Sequence, residues 1–194
     1  MQSDGIIIPT FLQFGKNYAG ARDAYVYSYA INLKNPSSLE VQIPGEIILM
    51  RVPQASIMNR ASYEFFSGLD SSGNPTWTTN LAARKPVFAD SKGVGWTASA
   101  SFNSGLGRYF LITEHDGSFN GDIGIFEAQN PWGPWSTIYY TSAFGSPTIP
   151  ANTFFWNFAN KWLSTDGKDF TLVFTGVGES DSWNTVRGNF LFTN

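Results

Sequence analysis

The side chains best placed to move a proton sit in three short strings. Charged residues make up 14% of its 194 residues, with a single histidine and no cysteine. "GARDAYVYSYA" sets Arg22 beside Asp23 at the mouth of an alternating run. "TEHDG" (113–117) places Glu114, His115 and Asp116 in a row, and "GESDS" (178–182) carries Glu179 and Asp181. An arginine next to Asp23 would hold that carboxylate ionised and oriented, which suits a stabilising or base role better than an acid role. The plainer alternative is an Arg–Asp pair that closes a strand end. His115 has an intrinsic titration near neutral pH, so Glu114 or His115 is the proton-transfer candidate. The plainer alternatives are a hydrogen-bonded loop histidine and a glutamate turned aside by strand alternation.

Several chemistries are excluded at the outset. Without cysteine there are no disulfides, no thiol catalysis and no thiolate metal sites. A formal charge of −3 with no basic stripe argues against nucleic acid. No stretch has the roughly 18 apolar residues that a membrane helix requires, so no membrane partner is expected. "MQSDGIIIPT" lacks the charged and apolar regions of a secretion signal. No phosphate loop, nucleophile elbow or zinc helix occurs, and no cofactor is expected. "DGSFNGD" superficially suggests calcium ligation but lacks the spacing and terminal glutamate of a helix–loop–helix site, so a structural calcium has no support.

The elements that must position these groups are strands. Aromatics reach 16% of the chain, and helical periodicity is nearly absent apart from "VPQASIMNRASYEFF". Short apolar or alternating runs are separated by Gly, Pro, Asn, Asp and Ser clusters, the pattern of an all-β protein. Tyr25, Tyr27 and Tyr29 fall on one face of their run, and Val26, Ser28 and Ala30 on the other. The runs group into three antiparallel meanders, at about 15–90, 91–145 and 150–194, within a single domain spanning 1–194. The expectation is therefore β-propeller-like, with three recognisable four-stranded blades stacked face to face; a β-sandwich is the structural alternative. Closed propellers need about four to eight blades. Further blades or a second copy must then close the ring, and a homo-oligomer is expected unless N-terminal blades are missing.

"GKNYAGARDAYVYSYA", "YEFFSGLDSSGNPTW", "GRYFLITEH", "GIFEAQNPWGPW" and "WNFANKWLSTDGKDFTLVFTGVGESDSWNTVRG" resemble the C-terminal half of a family of microbial extracellular propellers. That family was long known only as a domain of unknown function, and some of its members are endo-acting D-arabinanases. The resemblance runs from about Gly15 onward. More broadly the layout is similar to five-bladed glycosidases, which place one carboxylate at the mouth of each of the first three inner strands. The resemblance implies a five-bladed fold, a secreted protein, a carbohydrate ligand and Asp23 as the second-blade carboxylate. It also implies that a first-blade carboxylate lies outside this chain. One departure stands out: "GVGWTASASF", where such enzymes carry the acid glutamate, has no carboxylate.

Glycoside cleavage needs two carboxyl groups flanking one bond, one to donate a proton and one to attack or to activate water. On this layout Asp23, Glu114, His115, Asp116, Glu179 and Asp181 are expected to rim one funnel. Trp96, Trp156 and Asn157 would stack on and hydrogen-bond the sugar. The function so implied is hydrolysis of a polysaccharide in a propeller funnel. The alternative is a non-catalytic carbohydrate-binding or assembly module, and a purely structural role would leave every aromatic buried.

Overall fold

The computed structural model describes residues 4–118, 120–145, 149, 153–176 and 182–192. Three antiparallel sheets follow one another along the chain, and the described residues contain short 3-10 turns but no α-helix. Sheet 1 comprises β1 (Ile6–Phe11), β2 (Tyr25–Asn32), β3 (Glu46–Pro53), β4 (Glu64–Leu69), β5 (Pro75–Thr78) and β6 (Pro86–Ala89). Its order is β1-β2-β3-β4-β5, with β6 also paired to β3. β4 takes the Met50–Arg51 part of the β3 edge and β6 the Glu46–Ile48 part, so two short strands share one edge. Sheet 2 is a plain meander of β7 (Ser99–Asn103), β8 (Arg108–Glu114), β9 (Ile123–Ala128) and β10 (Ser136–Thr141). Sheet 3 has β11 (Thr153–Phe158), β12 (Asp169–Gly176) and β13 (Trp183–Asn189), one strand fewer than a four-stranded blade among the described residues. The helix-like stretch "VPQASIMNRASYEFF" forms only 3-10 turns, at Gln54–Ser56 and Arg60–Ser62.

Sheet 2 is apolar on both faces because it is covered on both. Tyr109 and Leu111 of β8 join Tyr27, Tyr29, Ile31 and Leu49 in the core between sheets 1 and 2. The alternate residues Phe110 and Ile112 join Trp156, Phe158, Leu172 and Phe174 in the core between sheets 2 and 3. This period-2 split of one strand between two cores explains the near-continuous apolar runs and the low charge content. Each fully buried Leu or Ile here stabilises the fold by about 1.5–3 kcal/mol. The "NPWGPW" corner closes the first core: the buried Tyr29 hydroxyl donates to Pro131 O at 2.6 Å, and Trp135 meets the Tyr29 ring edge-on at 6.4 Å.

The first strand of each sheet lies innermost, and these strands run the same way. Gln13, just past β1, bridges Ser101 of β7 in parallel, with Gln13 N–H on Ala100 O at 3.0 Å and Phe102 N–H on Gln13 O at 2.7 Å. A second parallel bridge joins Asn120, ahead of β9, to Thr153 of β11. Since β9 runs parallel to β7, β11 does too. One end of the stack therefore holds the starts of β7 and β11 and the β8–β9 turn. The other end holds the β1–β2 connection.

That connection corrects the layout expected from sequence. The first unit begins at Ile6, with β1 on the inside, so the Asp23 strand is second in its sheet. β2 and β8 run parallel to each other, Asp23 precedes the start of β2, and Glu114 ends β8. Asp23 and Glu114 consequently occupy opposite ends of the molecule and cannot flank one bond.

Candidate active site

The site assembles where β8 runs out. Its last turn reverses at Asp116 and Gly117, with φ of +62° and +73°, and returns into β9. The reversal pairs His115 N–H with Asp122 O at 3.0 Å, so Asp122, directly before β9, stands across the hairpin from Glu114 and His115. The segment 94–96 crosses beside them: Glu114 N–H donates to Val94 O at 3.3 Å, and Gly95 N–H donates to Gln42 Oε1 at 3.0 Å. Only glycine fits at position 95, where φ is +71° and a Cβ would fall 2.6 Å from the Glu114 Cβ.

Glu114 is buried, with 8% of its surface exposed. Its Oε1 accepts the Phe155 N–H in a short hydrogen bond and the Trp156 N–H at 3.4 Å. Burial pushes the carboxyl up to about 7; the two backbone donors oppose the shift and the nearby Asp122 carboxylate adds to it. Phe155 presents its N–H from a left-handed conformation, φ +60°, at a bulge in the β11–β12 pairing between Phe154 and Asn157. A non-glycine residue held there costs of order 1–3 kcal/mol, and such strain gathers at working sites.

Asp122, also buried, accepts from the Ser118 hydroxyl in a short bond and from Asn120 N–H at 3.3 Å. The His115 ring is buried flat against Tyr140, with centroids 4.1 Å apart and planes 4° apart. Both of its nitrogens are engaged, Nδ1 with Asp116 Oδ2 and Nε2 with Thr141 O, each at 3.0 Å. Ligand atoms of His115, Asp116 and Asp122 lie within 4.8 Å of one another. Each already has hydrogen-bond partners, and Asp116 faces the Lys92 ammonium at 3.7 Å, so the group reads as a hydrogen-bonded cluster.

These elements enclose a cavity of about 210 Å³, lined in part by Gln42, Trp96, Glu114, His115, Asp122 and Thr153. The Thr153 hydroxyl is buried with no hydrogen-bond partner among the described residues. A buried hydroxyl of this kind calls for a partner from a ligand or water. The cavity thus combines a carboxyl poised near neutrality, a second carboxylate, an indole and an unsatisfied hydroxyl.

The structure brings together Trp96, Glu114 and His115, with Asp116 on the turn beside them. It separates the others. Arg22 makes no ion pair with Asp23 among the described residues; its guanidinium lies 5.4 Å from the Phe102 ring centroid. The Asp23 carboxylate instead accepts from Tyr25 N–H at 2.8 Å and the Tyr27 hydroxyl at 2.7 Å, the arrangement of a strand-end cap. The Trp156 ring is 1% exposed and stacked on Phe174 at 3.9 Å, so it packs in the second core and cannot meet a sugar. Asn157 does not line the cavity; its amide donates to Phe155 O at 2.9 Å. Asp181, like Glu179, lies outside the described residues. Sequence reasoning missed Asp122, Gln42 and Thr153. The signal for Asp122 was the length of the β8–β9 turn, which places it opposite His115.

No family model matches the chain, and no curated protein matches it. Solved structures do. A GH43_1 enzyme from Xanthomonas citri superposes with a TM-score of 0.51 at 14% identity, covering 97% of this chain and 54% of that one. A glycoside hydrolase gives 0.47 at 13% identity, covering 98% and 37%. A GH43 protein from Bacillus licheniformis gives 0.41 at 13% identity, covering 98% and 42%. The chain spans about half the length of the first of these. The likeness shows the fold alone: three successive antiparallel sheets arranged as part of a propeller.

Proposed function

We propose that the chain hydrolyses a polysaccharide in the cavity between Glu114 and Asp122. The observation that carries this reading is the Glu114 carboxyl, buried at the mouth of the β8–β9 hairpin and pushed up to about 7. An acid that keeps its proton near neutral pH beside a second carboxylate is what glycosidic cleavage needs. Glu114 donates its proton to the departing glycosidic oxygen. Asp122, held by Ser118 and Asn120, acts as the base that takes a proton from the attacking water. Trp96 offers an aromatic wall, and Thr153 and Gln42 hydrogen-bond ring hydroxyls. The sequence resemblance makes D-arabinan the first substrate to try and an extracellular setting the natural one.

The working form also covers the outer face of sheet 1. There Ile6, Met50, Phe65 and Leu81 border an apolar groove, beside an exposed Phe11 and a 95% exposed Met58. A second copy or additional blades would fill it, and solution mass by light scattering separates the two.

The test is reducing-sugar release from linear arabinan, D-arabinan and xylan by the purified chain. Release that is abolished in Glu114→Gln and Asp122→Asn but kept in Asp23→Asn supports the reading. Release that survives Glu114→Gln would assign the acid to another group, and none from any glycan leaves a binding module as the better description.

A further inference from the structure

The two end faces of the stack differ in chemistry. Sheet 1 ends in an apolar surface, with Ile6, Ala30, Ile48 and Met50 beneath Tyr63, Phe65 and Leu81. Sheet 3 ends otherwise. β13 alternates, turning Val186 into the second core and Trp183, Thr185 and Arg187 outward. Across the ladder Thr175, Val173 and Thr171 stand opposite these three on the same outer face. Burying such a row under another sheet would strand polar groups without partners, at a cost that apolar packing does not carry. The Thr185 and Arg187 side chains indeed make no hydrogen bond or ion pair among the described residues; both residues are held through the β12–β13 ladder.

Over this face the 3-10 turn Asn160–Trp162 lays a second indole. Trp162 and Trp183 stand 6.0 Å apart at 72°, and both are exposed, at 44% and 68%. With Asp169, Thr171, Thr185 and Arg187 they border an open groove of about 540 Å³. Its one cation and one anion, Arg187 and Asp169, offset each other, so the groove selects no charge. Exposed indoles beside hydroxyl and guanidinium donors suit a ligand with apolar C–H faces and many hydroxyls.

We propose that this groove is a second saccharide-binding surface, which holds a neutral polysaccharide chain away from the Glu114 cavity. One indole stacks on a sugar face, the other abuts its edge, and Thr185 and Arg187 take up hydroxyls. The proposal rests on the reading of the chain as a glycan-processing protein, and it is tested apart from catalysis.

The experiment is native electrophoresis of the full chain through gels cast with soluble xylan, linear arabinan or hydroxyethylcellulose. At least one polysaccharide should retard the chain, and retardation should persist in Glu114→Gln and Trp96→Ala. Trp162→Ala and Trp183→Ala should each weaken binding by about three- to tenfold, the scale of one aromatic contact. Both positions are exposed, and thermal melts equal to the parent's confirm folded variants. Retardation lost in Trp96→Ala but kept in Trp162→Ala and Trp183→Ala would overturn the proposal and leave glycan handling at the cavity intact. No retardation by any of the three polysaccharides would also overturn it, while reducing-sugar release would still decide the cavity's role. A dimer that Trp183→Ala converts to a monomer would overturn it too, by making the groove a contact between copies.

Discussion

Glu114 accepts the backbone N–H of Phe155, a residue 41 positions later in the chain that sits at φ +60°. The bond ties the end of sheet 2 to the first strand of sheet 3. It also sets a buried carboxyl against the donors that would favour its ionisation, and burial prevails.

Stability should therefore fall as pH rises from about 4.5 to about 7. The folded carboxyl sits near 7 against an ordinary 4.5, so between these values the native state holds a proton that the unfolded state has released. The contribution is complete below about pH 4.5 and lost above about pH 7, with a span of roughly 3 kcal/mol at most. Thermal melts from pH 5 to 8 should show a declining Tm for the parent. Glu114→Gln should give a flatter profile and the higher Tm at pH 8. Parallel profiles would show that Glu114 titrates as an ordinary carboxylate.

Hydrolysis should share that dependence. An acid catalyst must enter the reaction protonated, so the rate should drop about tenfold per pH unit above neutrality. A rate that rose through pH 8 would assign the proton to another group.

Gly95→Ala should be damaging out of proportion to one methyl group. The added Cβ would meet the Glu114 Cβ at 2.6 Å and its carbonyl oxygen at 2.9 Å, in a left-handed conformation. A loss of more than about 1 kcal/mol is expected, since both strain and collision act there. Denaturant titration measures it directly.

Position relative to the two cores should rank apolar substitutions. Leu111→Ala, in the central strand β8 buried on both faces of sheet 2, should cost about 2–5 kcal/mol. Ile138→Ala, on the exposed edge strand β10, should stay within about 0.5 kcal/mol. Equal losses would contradict a sheet 2 packed from both sides.

Asp23→Ala should touch stability and leave glycan cleavage alone. It removes two charge-assisted hydrogen bonds, to Tyr25 N–H and the Tyr27 hydroxyl, worth about 1–3 kcal/mol in all. Loss of activity in a folded Asp23→Ala chain would restore the expectation drawn from its neighbouring arginine.

Those outcomes bear on what the sequence discloses. The Tyr25–Tyr27–Tyr29 alternation, the three meanders and the double-faced burial of "FLIT" were readable, because period 2 and turn residues are local signals. The innermost strand β1 is an apolar run, but it falls outside the first meander as its spacing is read, from about residue 15. It contains Pro9 and a left-handed Ile8, with a register shift between Ile7 and Thr10, and so lacks the pattern of a regular strand. Without β1 the first unit was counted from the wrong strand, and Asp23 moved to the wrong end. Glu114 was found by residue type, but the donors that hold it were not. A positive φ at a phenylalanine leaves no trace in sequence, since only tertiary packing enforces it.

The shared edge of β3 has a consequence for how the protein behaves when crowded. A long apolar strand with open hydrogen-bonding groups invites strand addition from another chain, the first step toward aggregation. β3 holds the fully buried Ile47 and Leu49, yet β4 and β6 occupy its edge in two short pieces. What faces outward is brief and opens with a proline at Pro86, which donates no hydrogen bond. The detour between β3 and β6 thus guards this apolar strand by denying a neighbour a continuous template.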